Sequence, residues 1–262
     1  MNVDWVRMAE PQRDGYDSAM VLRLVNVSPP DARPGVWFDV HPVYRDEPGF
    51  VGDFSGFRDA PPDHPNLGLG AELVDAWPEG ATLARRMIRS VHAAYEDGVV
   101  EDLGWSSLVS SSHSYEHRFG TCLLTVHSPI GVAEALIHEA AHHKLRALGV
   151  RFESADAIVA PETAARRHPS SLLGGRMRPM AAVLHAHYVL VHLIAFENAM
   201  LRTQLAKGRA LVRRLLARNI ELLALSSATL RRALVVDAAG AVFMETLWRW
   251  QERARAEAEI HR

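Results

Sequence analysis

Gly131-Val132-Ala133-Glu134-Ala135-Leu136-Ile137-His138-Glu139-Ala140-Ala141-His142-His143-Lys144-Leu145-Arg146-Ala147-Leu148 is the stretch on which the reading of this chain turns. Ser128-Pro129 ends an apolar strand before it, and a helix is expected from about Gly131 to Leu148. Inside it, His138-Glu139-Ala140-Ala141-His142 has the H-E-x-x-H form. Residues four apart on a helix lie about 40° apart around the axis, so His138 and His142 share a face and can chelate one ion. That face also carries Ala135, Ala141 and Leu145. Two buried imidazoles without partners would cost free energy, which favours a bound metal over two ordinary core histidines. Glu139 lies about 100° round the helix from His138.

Upstream, Leu108 to Val126 reads as extended. A Ser- and His-rich patch, Ser110 to His117, leads through Gly120 into the strand Thr121–Val126. Before it, helices are expected at about Ala71–Trp77 and Ala81–Tyr95, where Leu83, Met87, Ile88 and Val91 recur at helical spacing. The N-terminal runs Met20–Val27 and Val36–Val43, separated by Pro- and Gly-containing turns, read as strands. Asp46 to Leu69 reads as a long surface loop able to cover a site. Downstream, an irregular Pro-containing segment, Gly149–Pro179, precedes a second apolar helix, Met180–Leu205. Amphipathic scaffold helices follow at Leu211–Leu225 and Val242–Ile260.

These elements describe an α+β fold, mainly helical, with a small antiparallel sheet packed against the metal-binding helices. We read one catalytic domain over 1–262, with a strand- and loop-rich part at 1–70 and a helical part at 71–262. A net charge of -2 and a pI near 6.7 leave no excess of cations to displace counterions, so nucleic acid is not an expected partner. The N-terminus offers no apolar run for secretion or a membrane span. One cysteine, Cys122, rules out an intramolecular disulfide and a thiolate metal cage. A reducing compartment, the cytoplasm, is expected.

A catalytic metal commonly has three protein ligands and an open position. The metzincin solution is absent, since Leu145 and Leu148 stand where a glycine and a histidine would be needed. His185 is the first candidate, on the helix that follows Arg178-Pro179. His192 comes second, and Glu153, Glu162 and Glu197 are carboxylate alternatives. His187 lies on the opposite side of that helix and reads as a core histidine. His143 leaves the chelating face, and His168 sits in a polar stretch read as loop.

By itself the motif suggests a zinc peptidase, with Glu139 taking a proton from metal-bound water. Lys144 weakens that reading, because it stands where such helices usually carry an apolar residue. A non-catalytic, metal-containing peptide-binding protein is the third class.

The segments Glu134–Leu145 and Arg178-Pro179-Met180-Ala181-Ala182-Val183-Leu184-His185-Ala186 together resemble the H-E-x-x-H proteins encoded with ribosomally made peptide natural products. Those are α-ketoglutarate-dependent peptide β-hydroxylases. The resemblance covers roughly residues 105 to 200. It departs at 170–177, where an aromatic and Pro-rich stretch is replaced by Ser170-Ser171-Leu172-Leu173-Gly174-Gly175-Arg176-Met177. It implies Fe(II) held by His138, His142 and His185, leaving three positions for the keto acid and dioxygen. The distal carboxylate of α-ketoglutarate then needs a guanidinium, for which Arg178 is the first choice and Arg176 the second. Glu139 becomes an acceptor that orients a ligand imidazole or the substrate. His113, Tyr115, His117 and Arg118 are candidates for the channel. The implied partner is a ribosomally made precursor peptide.

Overall fold

The structure is a computed structural model that describes residues 3–30, 35–42, 56–115, 117–170, 175–203 and 207–261. Its centre is helix α5, Pro129–Ala147; among the described residues it is preceded in the chain by α1, Trp5–Met8, α2, Tyr16–Leu24, α3, Pro65–Val74, and α4, Pro78–Met87. Ser128 caps α5, its Oγ accepting from Gly131 N at 3.0 Å, and Pro129 fills a first-turn position whose N–H has no helical partner. The expected helix is therefore found, begun two residues earlier. A helix apolar around most of its circumference belongs inside a protein. From Pro129 to Leu145, only His138 escapes full burial.

α5 is surrounded by packed elements, among them α2, α3, α4 and the sheet. Against α3 the two helices cross closely, since a Cβ at Gly70 would stand 2.4 Å from Val132 Cγ1. Against α2 the contact is ionic: Lys144 Nζ donates to Asp17 Oδ2 at 2.6 Å, with both side chains buried. On a third side lies the sheet.

Among the described residues that sheet has five strands: β1, Asp39–His41, β2, Phe57–Asp59, β3, Ser90–Glu96, β4, Ser112–Ser114, and β5, Thr121–Thr125. β3 is parallel to β1 and β5, while β2 runs antiparallel to β3 and β4 antiparallel to β5. β1 and β2 share one edge of β3, pairing with Ser90–His92 and with Ala94–Glu96. The sheet is thus mixed, not antiparallel as expected. Two other expectations give way. The run expected as one helix, Ala81–Tyr95, ends at Met87 and turns into the central strand β3. Val91 to Tyr95 is buried on both faces, and a short, wholly buried run carries no periodicity to separate strand from helix. Conversely, Met20–Val27, expected as a strand, lies largely in α2, which docks on α4 and α5. Of the expected 46–69 loop, residues 46–55 fall outside the described residues; in the rest, Phe57–Asp59 is strand and Pro65 begins α3.

After α5 come a short helix α6, Pro161–Ala164, and a hairpin of β6, Arg167–Pro169, and β7, Met177–Pro179. α7, Met180–Arg202, follows at once, then α8, Arg209–Ala233, and α9, Ala238–Glu259. α7 is sandwiched between α5, α8 and α9. It is long and apolar enough to cross a membrane, but its apolar window is wholly buried in the fold, as in the core helix of a soluble protein. One continuous hydrophobic cluster reaches from Met8 to Ala258.

Candidate metal centre

The packing of α5 against α7 brings the three expected histidines together. His138 and His142 meet Nε2 to Nε2 at 3.0 Å, and His142 meets His185 Nδ1 to Nδ1 at 3.0 Å. The far nitrogen of His185 lies 2.8 Å from Val150 O, just beyond the end of α5. That carbonyl can only accept, so His185 carries its proton on Nε2 and turns a lone pair toward His142. The proton assignment then follows: His142 donates from Nδ1 to His185, and His138 donates from Nε2 to His142.

Burial holds the inner two rings neutral. His142 is pushed well below the usual histidine range by desolvation, with His138, His185 and Arg146 adding to it. His185 is pushed down to about 3, mainly by desolvation, against the opposing bond to Val150. Neutral imidazoles are what a metal requires. Phe152 closes the inner side, its ring centroid 4.5 Å from that of His185 and 5.1 Å from that of His142.

Donor type and spacing fit a metal. Two nitrogens about 2.1 Å from one ion at right angles lie about 3.0 Å apart, which is the separation of both contacts. The rings are not yet convergent, because His142 meets its two neighbours through opposite nitrogens. Among the described residues no group of three or more such side chains is already arranged to hold an ion. A common ion requires His142 to turn so that one nitrogen serves both neighbours, and His138 to shift its proton to Nδ1.

His138 is the open end of the set, with 29% of its side chain exposed. It lines a cavity of about 410 Å³ together with Ser110, Ser111, Ser112, Glu134 and Arg218, among others. The Ser-rich patch expected at a channel does contribute its serines, while His113 and His117 are exposed and line no part of this cavity. Glu139 is buried on the sheet side of α5. Its Oε1 accepts from Ser112 Oγ at 2.6 Å and stands 3.8 Å from His138 Nε2, while Oε2 has no hydrogen-bond partner among the described residues.

The remaining candidates fall elsewhere. Arg178 sits on β7 opposite His168, and Arg176 is exposed beside it; neither lines the His138 cavity. Arg146 also lies outside that cavity, lining a separate one with His117, Phe119 and His143, but its charge reaches His142 and His185. Its Nε donates to His142 O at 3.3 Å and its guanidinium lies 5.9 Å from the Phe152 ring centre. It stands one helical turn past His142 on the same helix, a spacing that the sequence itself displays. His192 turns away, Nδ1 to Tyr188 O, and packs against Trp250. His187 bonds Ser226 Oγ, as a core histidine does. His143 accepts from Gly120 N, off the chelating face. Glu153 and Glu162 are exposed, and Glu197 is buried against Asn219 on α8. His168 is in strand β6, not in a loop.

No model of a known protein family matches the chain, and no curated protein is similar to it.

Proposed function

We propose that this protein is a non-haem Fe(II)- and α-ketoglutarate-dependent oxygenase that hydroxylates the β-carbon of a residue in a ribosomally made peptide. The observation that carries this reading is the cluster of three imidazoles drawn from two helices, with nitrogens 3.0 Å apart and only His138 open to a cavity. Three imidazoles and a vacant side suit ferrous iron, and would hold it through His138, His142 and His185. When bound, the iron supplies dioxygen reduction coupled to oxidative decarboxylation of the keto acid, the oxidising power an unactivated C–H bond needs.

The chain's own groups do the rest. Val150 fixes the tautomer of His185, and Phe152 keeps water from the inner side of the pair. Glu139, held by Ser112, can accept from a ligand imidazole or from a substrate amide through its unpartnered oxygen. For the distal carboxylate of the keto acid, the position of Arg146 beside His142 supports it over Arg178 and Arg176. A single buried cysteine suits a reducing compartment, and we place the protein in the cytoplasm.

One observation favours a second reading, a zinc peptidase: the Glu139 carboxylate is 3.8 Å from a ligand nitrogen and has one free oxygen, as a general base would need. The experiment that separates the two is anaerobic reconstitution with Fe(II) or with Zn(II), followed by assay for α-ketoglutarate turnover and for peptide cleavage. Succinate release by the iron form alone supports the oxygenase. Cleavage by the zinc form without keto acid, abolished by Glu139→Gln, overturns it.

A further inference from the structure

One helical turn before His138 on the same face of α5 stands Glu134, on the wall of the same cavity. Its residue is only 7% exposed, and its Oε1 has no hydrogen-bond partner among the described residues. Behind it Glu197, fully buried on α7, shares a hydrogen bond with Glu134 and accepts from Asn219 Nδ2 at 2.6 Å on its Oε1. Two carboxyl groups in contact cannot both ionise without a compensating cation. Burial raises both: Glu134 to about 7, and Glu197 well above the usual carboxylate range, with the charge of Glu134 adding to the effect. Glu197 therefore keeps a proton and donates it to Glu134, whose Oε2, the oxygen not sealed from solvent, is left to accept from the cavity. The approach is apolar, formed by Leu108, Leu190, Leu193 and Leu215.

We propose that this cavity is a binding site for an amine-tipped side chain of lysine type, with Glu134 accepting its ammonium and Glu197 and Asn219 holding Glu134 in place. The dimensions agree. Residues four apart on a helix are about 6 Å apart along the axis, and a lysine side chain spans about 5 Å from Cβ to Nζ. An ammonium on Glu134 therefore leaves its own Cβ beside His138, with the methylenes against the leucines. Arg218, the cation on the same wall, does not reverse this preference. Its charge draws both carboxyls down and so offsets part of the burial, but it is solvent-exposed and screened, whereas Glu134 acts from a low-dielectric site. The inference rests on the proposed oxygenase for what happens at that Cβ, but the site itself needs only the cavity and the carboxyl pair.

The test is binding of N-acetyl-lysine amide to the purified full chain, followed by NMR or calorimetry. The neutral isostere N-acetyl-norleucine amide and the anionic N-acetyl-glutamate amide serve as competitors. The lysine compound should saturate a single site and outcompete both others. Glu134→Gln, which keeps the shape and removes the charge, should weaken it by about tenfold while leaving norleucine binding unchanged. Arg218→Ala should leave the lysine compound bound as tightly or more so. Preference for the glutamate compound, or equal lysine binding by wild type and Glu134→Gln, would overturn the proposal. Because the readout is binding, it separates from the oxygenase reading. A lysine-selective cavity in a protein without keto-acid turnover refutes the oxygenase alone, and turnover without lysine selectivity refutes the amine site alone.

Discussion

His142 and His185 face each other nitrogen to nitrogen at 3.0 Å across the α5–α7 contact, 43 residues apart in sequence, and His185 is anchored from behind by Val150 O. The pair brings residues of two buried helices together at the candidate metal centre. Replacing either histidine by alanine should reduce metal affinity by at least tenfold, as loss of one of three donors does, with far-UV circular dichroism little changed. His192→Ala, two turns further along α7, should retain full metal occupancy. Metal content after dialysis is the measurement, and full occupancy in His185→Ala would remove His185 from the set.

The same burial predicts acid lability in the metal-free protein. His185, His187 and His192 are each pushed to about 3, chiefly by desolvation, from an ordinary 6.5. Below 6.5 the unfolded chain takes up protons that the fold refuses. Their contribution is therefore complete above pH 6.5 and is lost as the pH falls from there toward 3, by up to about 1.4 kcal/mol per pH unit for each. Urea midpoints between pH 7 and pH 5 should fall accordingly. A flat profile would mean that these rings are hydrated or charged.

Glu134 has the opposite sign. Its carboxyl is raised from 4.5 to about 7, so the fold holds a proton that the unfolded chain releases. That contribution is complete below pH 4.5 and is lost as the pH rises through 7. Glu134→Gln should therefore stabilise the protein at pH 8 relative to pH 5, by roughly 1 to 3 kcal/mol. Equal effects at both values would show that Glu134 titrates as an exposed carboxylate.

Lys144 and Asp17 form a buried ion pair at 2.6 Å, and Lys144 Nζ also donates to Glu10 O at 3.2 Å. Lys144→Met alone leaves a buried carboxylate uncompensated and should cost about 3 to 5 kcal/mol. Lys144→Met with Asp17→Leu should recover most of that loss in chemical denaturation. If the double variant is no better than the single one, the pair is not the contact that holds α2 to α5.

Much of the site was legible because its signals are local. The helix bearing His138 and His142 is announced by Ser128-Pro129 and by an apolar run, and the Arg178-Pro179 start of α7 sets the phase that turns His185 toward α5. What could not be read depends on distant partners. Met20–Val27 became largely helix in its packing against α4 and α5, and Val91–Tyr95 became a strand because β1, β2 and β5 flank it. Arg178 is seven residues from His185 in sequence, yet the β6–β7 hairpin pairs it with His168. Glu134 and Glu197 meet across 63 positions without any motif to mark the encounter.

The account most directly stands or falls on the fate of α-ketoglutarate. Purified protein loaded anaerobically with Fe(II), given α-ketoglutarate and then dioxygen, should release succinate. Arg146→Lys should raise the keto-acid concentration needed without lowering iron content, more than Arg178→Lys or Arg176→Lys does. His185→Ala should release none. Absence of succinate from fully iron-loaded wild-type protein, together with Glu139-dependent peptide cleavage by the zinc form, would contradict the oxygenase and identify a hydrolase.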